Sequence, residues 1–248
     1  MDDAPKSSAT TSSHAELHLT YKVANAPINR FPFPHCYVTE VFPADFYADM
    51  QRHLPDPMAM IPIELARGAK GYKERFVLEL NPGRLSALPE ARRDFWSDVA
   101  AWLLSGRLQQ HMLEKFGPFM DGRFGHDAFE FYADAMLIQD ITDYKIGPHC
   151  DAPGKVITML FYLPADNSQA HLGTSIYTPK DPAFRCPTGV HHPPGGFNRL
   201  VTMPFVPNSL FTFVRGDTSF HGVEPVGDPD CRRWLLLFTI YARPRPQP

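Results

Sequence analysis

The spacing of apolar positions divides the chain near residue 126. Before it, apolar residues recur at helical intervals: Phe46, Met50 and Leu54 within 43–54, and Phe95, Val99, Trp102, Leu103, Met112 and Phe116 across 89–116. Polar residues fill the gaps, so each segment has one apolar face. Gly106, following Ser105, marks where the longer helix breaks in two. After residue 126 the runs become short and apolar or alternating, at 129–138, 156–163, 172–177, 200–205, 209–214 and 234–241. Most have Pro, Gly, Asp or Asn near an end, which predicts strands. Helices first and strands afterwards give an α+β chain, mainly β, in which helices brace one face of a β-sandwich or jelly roll. The loops are long, notably 178–199, and such loops over a rigid sandwich are where binding groups are presented.

The ends read differently. Residues 1–15 carry too little apolar surface to offset their ordering entropy and read as a disordered leader. Residues 244–248, rich in proline, read as a flexible tail. Between them, 16–243 reads as a single domain, with helical support at 43–116 and a β core at 126–243. Composition agrees: 248 residues, 44% apolar, suffice for one sizeable interior. A net charge of −3 leaves no basic footprint for nucleic acid. Four scattered cysteines form no C-x-x-C pair, so neither a zinc knuckle nor a redox dithiol is expected. The N-terminus has no apolar signal region and no run reaches membrane-spanning length, which places the expectation in the reducing cytoplasm, where iron stays ferrous.

The chemistry is concentrated in KIGPHCDAPGKVITMLFYLP. His149 and Asp151 stand two apart, so on an extended strand they point to one face. An imidazole and a carboxylate converging on one point make two thirds of a facial triad for ferrous iron, and His221, after LFTFV and a Gly-Asp turn, is the candidate third ligand. Alone, H-x-D is common and usually a solvated surface pair. Here it leads into a strand, a second His lies downstream, and Arg232 and Arg233 open the final apolar run eleven and twelve residues after His221. An Arg at that place suits a dicarboxylate, because its planar fork grips a carboxylate bidentately and never loses its charge.

With these residues the sequence resembles the 2-oxoglutarate/Fe(II)-dependent dioxygenases, in particular the prolyl-hydroxylase-like and phytanoyl-hydroxylase-like branches. The likeness covers about 126–243 and rests on PHCDAPGKVITMLFYLP, GTSIY, FHGVEPV and RRWLLLFTIY. It implies a double-stranded β-helix, iron on His149, Asp151 and His221, and an Arg holding the far carboxylate of 2-oxoglutarate. A spacing of eleven favours Arg232, while the apolar run that follows favours Arg233. Alternation lets only one point inward, and the preference goes to Arg233. Tyr162 matches a position where prolyl-hydroxylase-like members place a hydroxyl on the same carboxylate. The family's small residue two beyond the Arg is not reproduced, since Trp234 or Leu235 stands there. Retention of Asp151 argues for hydroxylation rather than halogenation, which uses a small residue at that place. The implied cofactors are Fe(II), 2-oxoglutarate and O2, and the implied reaction hydroxylates a small molecule, in preference to a protein, with release of succinate and CO2.

Other polar residues read as bland. His191 and His192 adjoin a Pro/Gly turn and suit a loop or lid better than a metal. Lys145 and Lys155 read as solvated strand-end charges, and Gln139 as a plain strand residue. Two rival functions stay open: a cupin-like dioxygenase that does not use 2-oxoglutarate, which would more usually show H-x-H, and a non-enzymatic binding module on a degenerate barrel.

Overall fold

The computed structural model describes residues 8–120, 123–124, 128–227 and 229–245. Among these residues eleven strands, numbered in chain order, form two antiparallel sheets. The larger contains β1 (His35–Thr39), β2 (Ile61–Pro62), β3 (Arg75–Glu79), β4 (Phe129–Ile141), β6 (Lys155–Tyr162), β9 (Ser209–Val214) and β11 (Arg232–Pro244). Its order is β1-β9-β6-β11-β4-β3-β2. The smaller contains β5 (Ile146–His149), β7 (Thr174–Pro179), β8 (Phe197–Met203) and β10 (His221–Val223), in the order β5-β10-β7-β8.

Six α-helices accompany them among the described residues: α1 (Ser8–Asn25), α2 (Ala44–Arg52), α3 (Ile63–Arg67), α4 (Pro82–Leu85), α5 (Glu90–Leu103) and α6 (Arg107–Phe116). Apolar residues of α1, α2, α5 and α6 form one core with alternate residues of the large sheet, among them Leu137, Phe161, Leu236 and Phe238. The intervening residues of the same strands, such as Ile138, Tyr162, Phe211 and Leu235, join Ile176, Met203 and Val223 of the small sheet in a second core. The period-two alternation of each strand thus sends one set of side chains to the helices and the other to the small sheet. Among the described residues no helix is long and apolar enough to cross a membrane.

Helices stand at 43–54 and 89–116 and strands follow residue 126 as expected, but the division there is corrected: β1, β2 and β3 precede it, β2 and β3 within the stretch read as helical support, and all three join the large sheet. The break between α5 and α6 falls at Gly106, whose φ of 92° lies in the left-handed region that a Cβ disfavours. Trp96, fully buried, is central to α5 although the apolar spacing does not single it out. The disordered leader expected at 1–15 is corrected from Ser8 onward, where α1 begins. Ala15, Leu19 and Val23, spaced by four, bury one face of it in the helical core. Residues 1–7 lie outside the described residues. At the other end Pro244 still belongs to β11, paired with Phe129, and Arg245 donates its backbone N–H to Ala128. Those two residues of the expected tail are therefore ordered, and 246–248 lie outside the described residues.

Candidate metal centre

The sheets place two histidines side by side. β5 and β10 pair antiparallel with His149 opposite His221, and their rings lie 4.3 Å apart. Each ring is fixed by a carbonyl two residues earlier: His149 Nδ1 lies 3.0 Å from Gly147 O, and His221 Nδ1 lies 2.9 Å from Ser219 O. That bond puts the proton on Nδ1 and leaves Nε2 as the nitrogen for a metal. Close pairing needs room here, since a Cβ on Gly222 would stand 2.5 Å from Ile146 O.

Asp151 follows β5. His149, Asp151 and His221 are buried, and a ligand atom from each lies within 4.8 Å of the other two. Both carboxylate oxygens of Asp151 are held: Lys155 donates to Oδ1 at 2.8 Å and Thr158 to Oδ2 at 2.6 Å. Burial by itself would raise this carboxyl, but the Lys155 ammonium beside it prevails and holds it well below the usual carboxylate range. Burial, with His221 close by, pushes His149 down to about 3, and burial lowers His221 as well. At neutral pH the centre therefore offers two neutral imidazoles and one carboxylate, the donor set of a facial triad. Lys155, expected to be a solvated strand-end charge, is instead bonded to Asp151, because β6 begins directly beneath the Asp151 loop.

These residues line one end of a cavity of about 320 Å³ between the sheets. The other end belongs to the large sheet. Arg233 is 1% exposed and lines the cavity together with Leu235 and Leu237, the inward set of β11. Arg232, one position out of phase, is exposed and donates to the carbonyl of Cys231. Arg233 donates to Leu172 O at 2.6 Å and to Asp140 Oδ2 at 2.7 Å. Asp140, fully buried, also receives both arms of Arg75, at 2.6 and 2.9 Å. Arg75, Asp140 and Arg233 are register partners across β3, β4 and β11, so the three charges form one rung on the inner face. Tyr144 lies under the Arg75 guanidinium, 4.3 Å from ring centre to Cζ. Its hydroxyl and that of Thr174, both residues of this cavity wall, are buried without a hydrogen-bond partner among the described residues. Unpaired buried hydroxyls beside guanidiniums fit a polar ligand at this end.

Sequence reasoning did not single out Arg75, Asp140, Tyr144 or Tyr72. Its available signal was an Arg opening the apolar run RFVLEL, the same signal used for RRWLLLFTIY. Tyr162 is fully buried, but its hydroxyl accepts the Thr174 N–H at 3.1 Å and it does not line the cavity. Gln139 does not line it either. The long loop after β7 packs on the metal end: His192 N–H bonds Pro148 O, and the His191 ring lies 4.6 Å from that of His149. Tyr72 O–H reaches the His191 ring nitrogens at 2.7 and 2.8 Å, at the mouth shared with an outer polar cavity. Arg215 ties this loop down by donating to both Asp151 O and Pro187 O.

No family model matches the chain. No curated protein matches it in sequence. Solved structures do match in fold. The non-heme alpha ketoglutarate dependent epimerase SnoN from nogalamycin biosynthesis aligns over 93% of this chain and 83% of its own, at 14% identity and TM-score 0.51. It has also been solved with Fe3+, alpha ketoglutarate and nogalamycin RO. The carbocyclase SnoK from the same biosynthesis aligns over 98% of this chain and 87% of its own, at 11% identity and TM-score 0.51. A Pseudomonas putida prolyl-4-hydroxylase aligns over 92% and 99%, at 16% identity and TM-score 0.49. At such identities the likeness is one of fold.

Proposed function

We propose that the chain is a non-haem Fe(II), 2-oxoglutarate-dependent oxygenase acting on a small molecule, built on a double-stranded β-helix whose two halves are the sheets described above. One observation carries the reading: a buried two-histidine, one-carboxylate set and a buried, inward-pointing arginine line one cavity. His149, Asp151 and His221 would hold the iron, and Arg233 the far carboxylate of 2-oxoglutarate. Bound together, iron, 2-oxoglutarate and O2 would supply an oxidation in which the 2-oxo acid becomes succinate and CO2.

The chain's own part is to orient and to exclude water. Gly147 O and Ser219 O fix the imidazoles, while Thr158 and Lys155 aim the carboxylate. Ile138, Leu160, Leu235 and Leu237 supply apolar walls that strengthen every charge contact inside. Hydroxylation of a carbon is the outcome we favour, since Asp151 occupies the position that a halide would need. The same fold serves an epimerase and a carbocyclase among its neighbours, so the outcome belongs to the substrate pocket rather than to the fold.

The test needs no substrate. Protein loaded with Fe(II) and 2-oxoglutarate without oxygen should show a weak visible charge-transfer band, lost in His149→Ala and Asp151→Ala. Metal bound at these residues with no band would remove 2-oxoglutarate and promote a cupin-like chemistry. Absence of metal binding would leave a binding module.

A further inference from the structure

We propose that Arg75 makes the acid end of the cavity attractive to a second carboxylate, because Arg233 without it is an ion pair already neutralised by Asp140. This rests on the oxygenase reading above and adds the residue that selects a diacid over a monoacid.

The argument is one of charge. Arg233 donates to Asp140 at 2.7 Å, and both groups are buried, at 1% and 0% side-chain exposure. Taken alone, that pair carries no net charge and its carboxylate would repel an incoming one. Arg75 brings a second guanidinium to the same carboxylate, in bidentate geometry. Two guanidiniums against one carboxylate leave one positive charge, and guanidinium does not shed it by deprotonation. A buried unbalanced charge is costly unless an anion meets it.

A second observation points to the same ligand. Tyr144 lines the cavity, and its hydroxyl is buried with no hydrogen-bond partner among the described residues. Burial keeps it protonated and therefore able to donate. Arg75 holds the Tyr144 ring in place by lying over it. Glu74, the other carboxylate whose field reaches Tyr144, lines the outer cavity together with Lys70 and Lys145. Arg75 is thus a positioning and charge-setting residue, and Tyr144 a donor beside Arg233.

The experiment compares the parent protein with Arg75→Met, Asp140→Asn and the double variant. Each is loaded anaerobically with Fe(II) and titrated with 2-oxoglutarate and with 2-oxovalerate, which has the same carbon chain but no far carboxylate. Fe(II) binding alone reports an intact metal end. Arg75→Met should weaken 2-oxoglutarate roughly 10- to 100-fold, the worth of a charged hydrogen bond, and leave 2-oxovalerate nearly unchanged. Asp140→Asn in the same chain should restore most of the loss by freeing the charge of Arg233. Unchanged 2-oxoglutarate affinity in Arg75→Met, equal loss for both acids, or a double variant without rescue would each overturn the proposal. Should Arg75→Met fail to hold Fe(II), Asp140→Asn decides alone: tighter 2-oxoglutarate binding supports the proposal, and unchanged or weaker binding overturns it. A parent that holds Fe(II) but binds no 2-oxoglutarate fails at the oxygenase reading instead, before the variants are reached.

Discussion

The two ends of the cavity are built on opposite principles. At the metal end the groups are local. His149 and Asp151 stand two apart, each imidazole is fixed by a carbonyl two residues back, and the strands that carry them, β5 and β10, are four and three residues long. At the acid end Arg75, Asp140 and Arg233 are remote in sequence and meet only because β3, β4 and β11 pair in one register. Charge at the metal end depends on what is bound there and on pH. At the acid end two guanidiniums and one carboxylate are held together by the sheet. Binding and folding should therefore fail separately at the two ends.

The largest effects should show that separation. His149→Ala or His221→Ala removes one of three ligands, and iron affinity should fall by at least about 10- to 100-fold, the loss typical even of outer groups at metal sites; anaerobic titration with Fe(II) checks it. Asp140→Leu should act on the fold instead. It leaves Arg75 and Arg233 without their carboxylate, and breaking a buried pair in this way costs about 3–5 kcal/mol. Urea unfolding of the metal-free protein reads that cost directly. A loss under about 1 kcal/mol would mean that water or rearrangement satisfies the guanidiniums, and the fixed charge of the acid end would be wrong.

The next prediction concerns pH. In the metal-free protein burial holds His149 at about 3, and His221 is also lowered. Below their ordinary value of 6.5 the unfolded chain takes up protons that the folded chain does not. Stability should therefore be greatest above that value and decline as pH falls from about 6.5 towards about 3. Asp151, held low, adds a loss of the same sign only below the ordinary carboxylate range. Bound metal should raise stability while leaving the slope over this window nearly unchanged, since the folded imidazoles already carry no extra proton there. Thermal melting between about pH 8 and 5, with and without a redox-inert divalent ion, checks this, and a flat profile for the metal-free protein would contradict the buried, neutral state of the pair.

The same contrast explains what was legible in the sequence. H-x-D followed by a strand, with a later His after a Gly-Asp turn, is a local pattern, so the metal end could be read residue by residue. Arg233 and Arg232 could be narrowed by alternation alone, and alternation is what turns Arg233 inward. Arg75 could not be found in this way, because β3 is only five residues long and its partner Asp140 is remote in sequence. Lys155 misleads for a related reason: a lysine opening a strand is usually solvated, and only the return of the Asp151 loop over β6 buries it. α1 escapes a reading of periodicity because Ala15, Leu19 and Val23 form a sparse stripe within a polar, Ser/Thr-rich segment. Its helicity comes from packing rather than propensity.

The smallest expected effect tests how the long loop is joined to the metal end. Gly189 lies in this loop with φ +76°, and a Cβ there would stand 3.1 Å from Ala152 N and Cα, next to Asp151. Gly189→Ala should therefore cost about 1 to 3 kcal/mol of strain for a left-handed non-glycine residue, and it should press on the Asp151 loop. Gly196 lies at the far end of the same loop with an ordinary φ, and a methyl group there would meet nothing within 4 Å. Gly196→Ala should leave both stability and iron affinity close to the parent. If Gly189→Ala lowers stability and iron affinity while Gly196→Ala changes neither, the loop bears on the metal end at that one contact. Iron affinity unchanged in both variants would mean that Arg215, bonded to Asp151 O and Pro187 O, holds the ligand loop in place against the displacement. The metal end would then owe its geometry to a residue remote in sequence, as the acid end does, and the contrast between them would narrow.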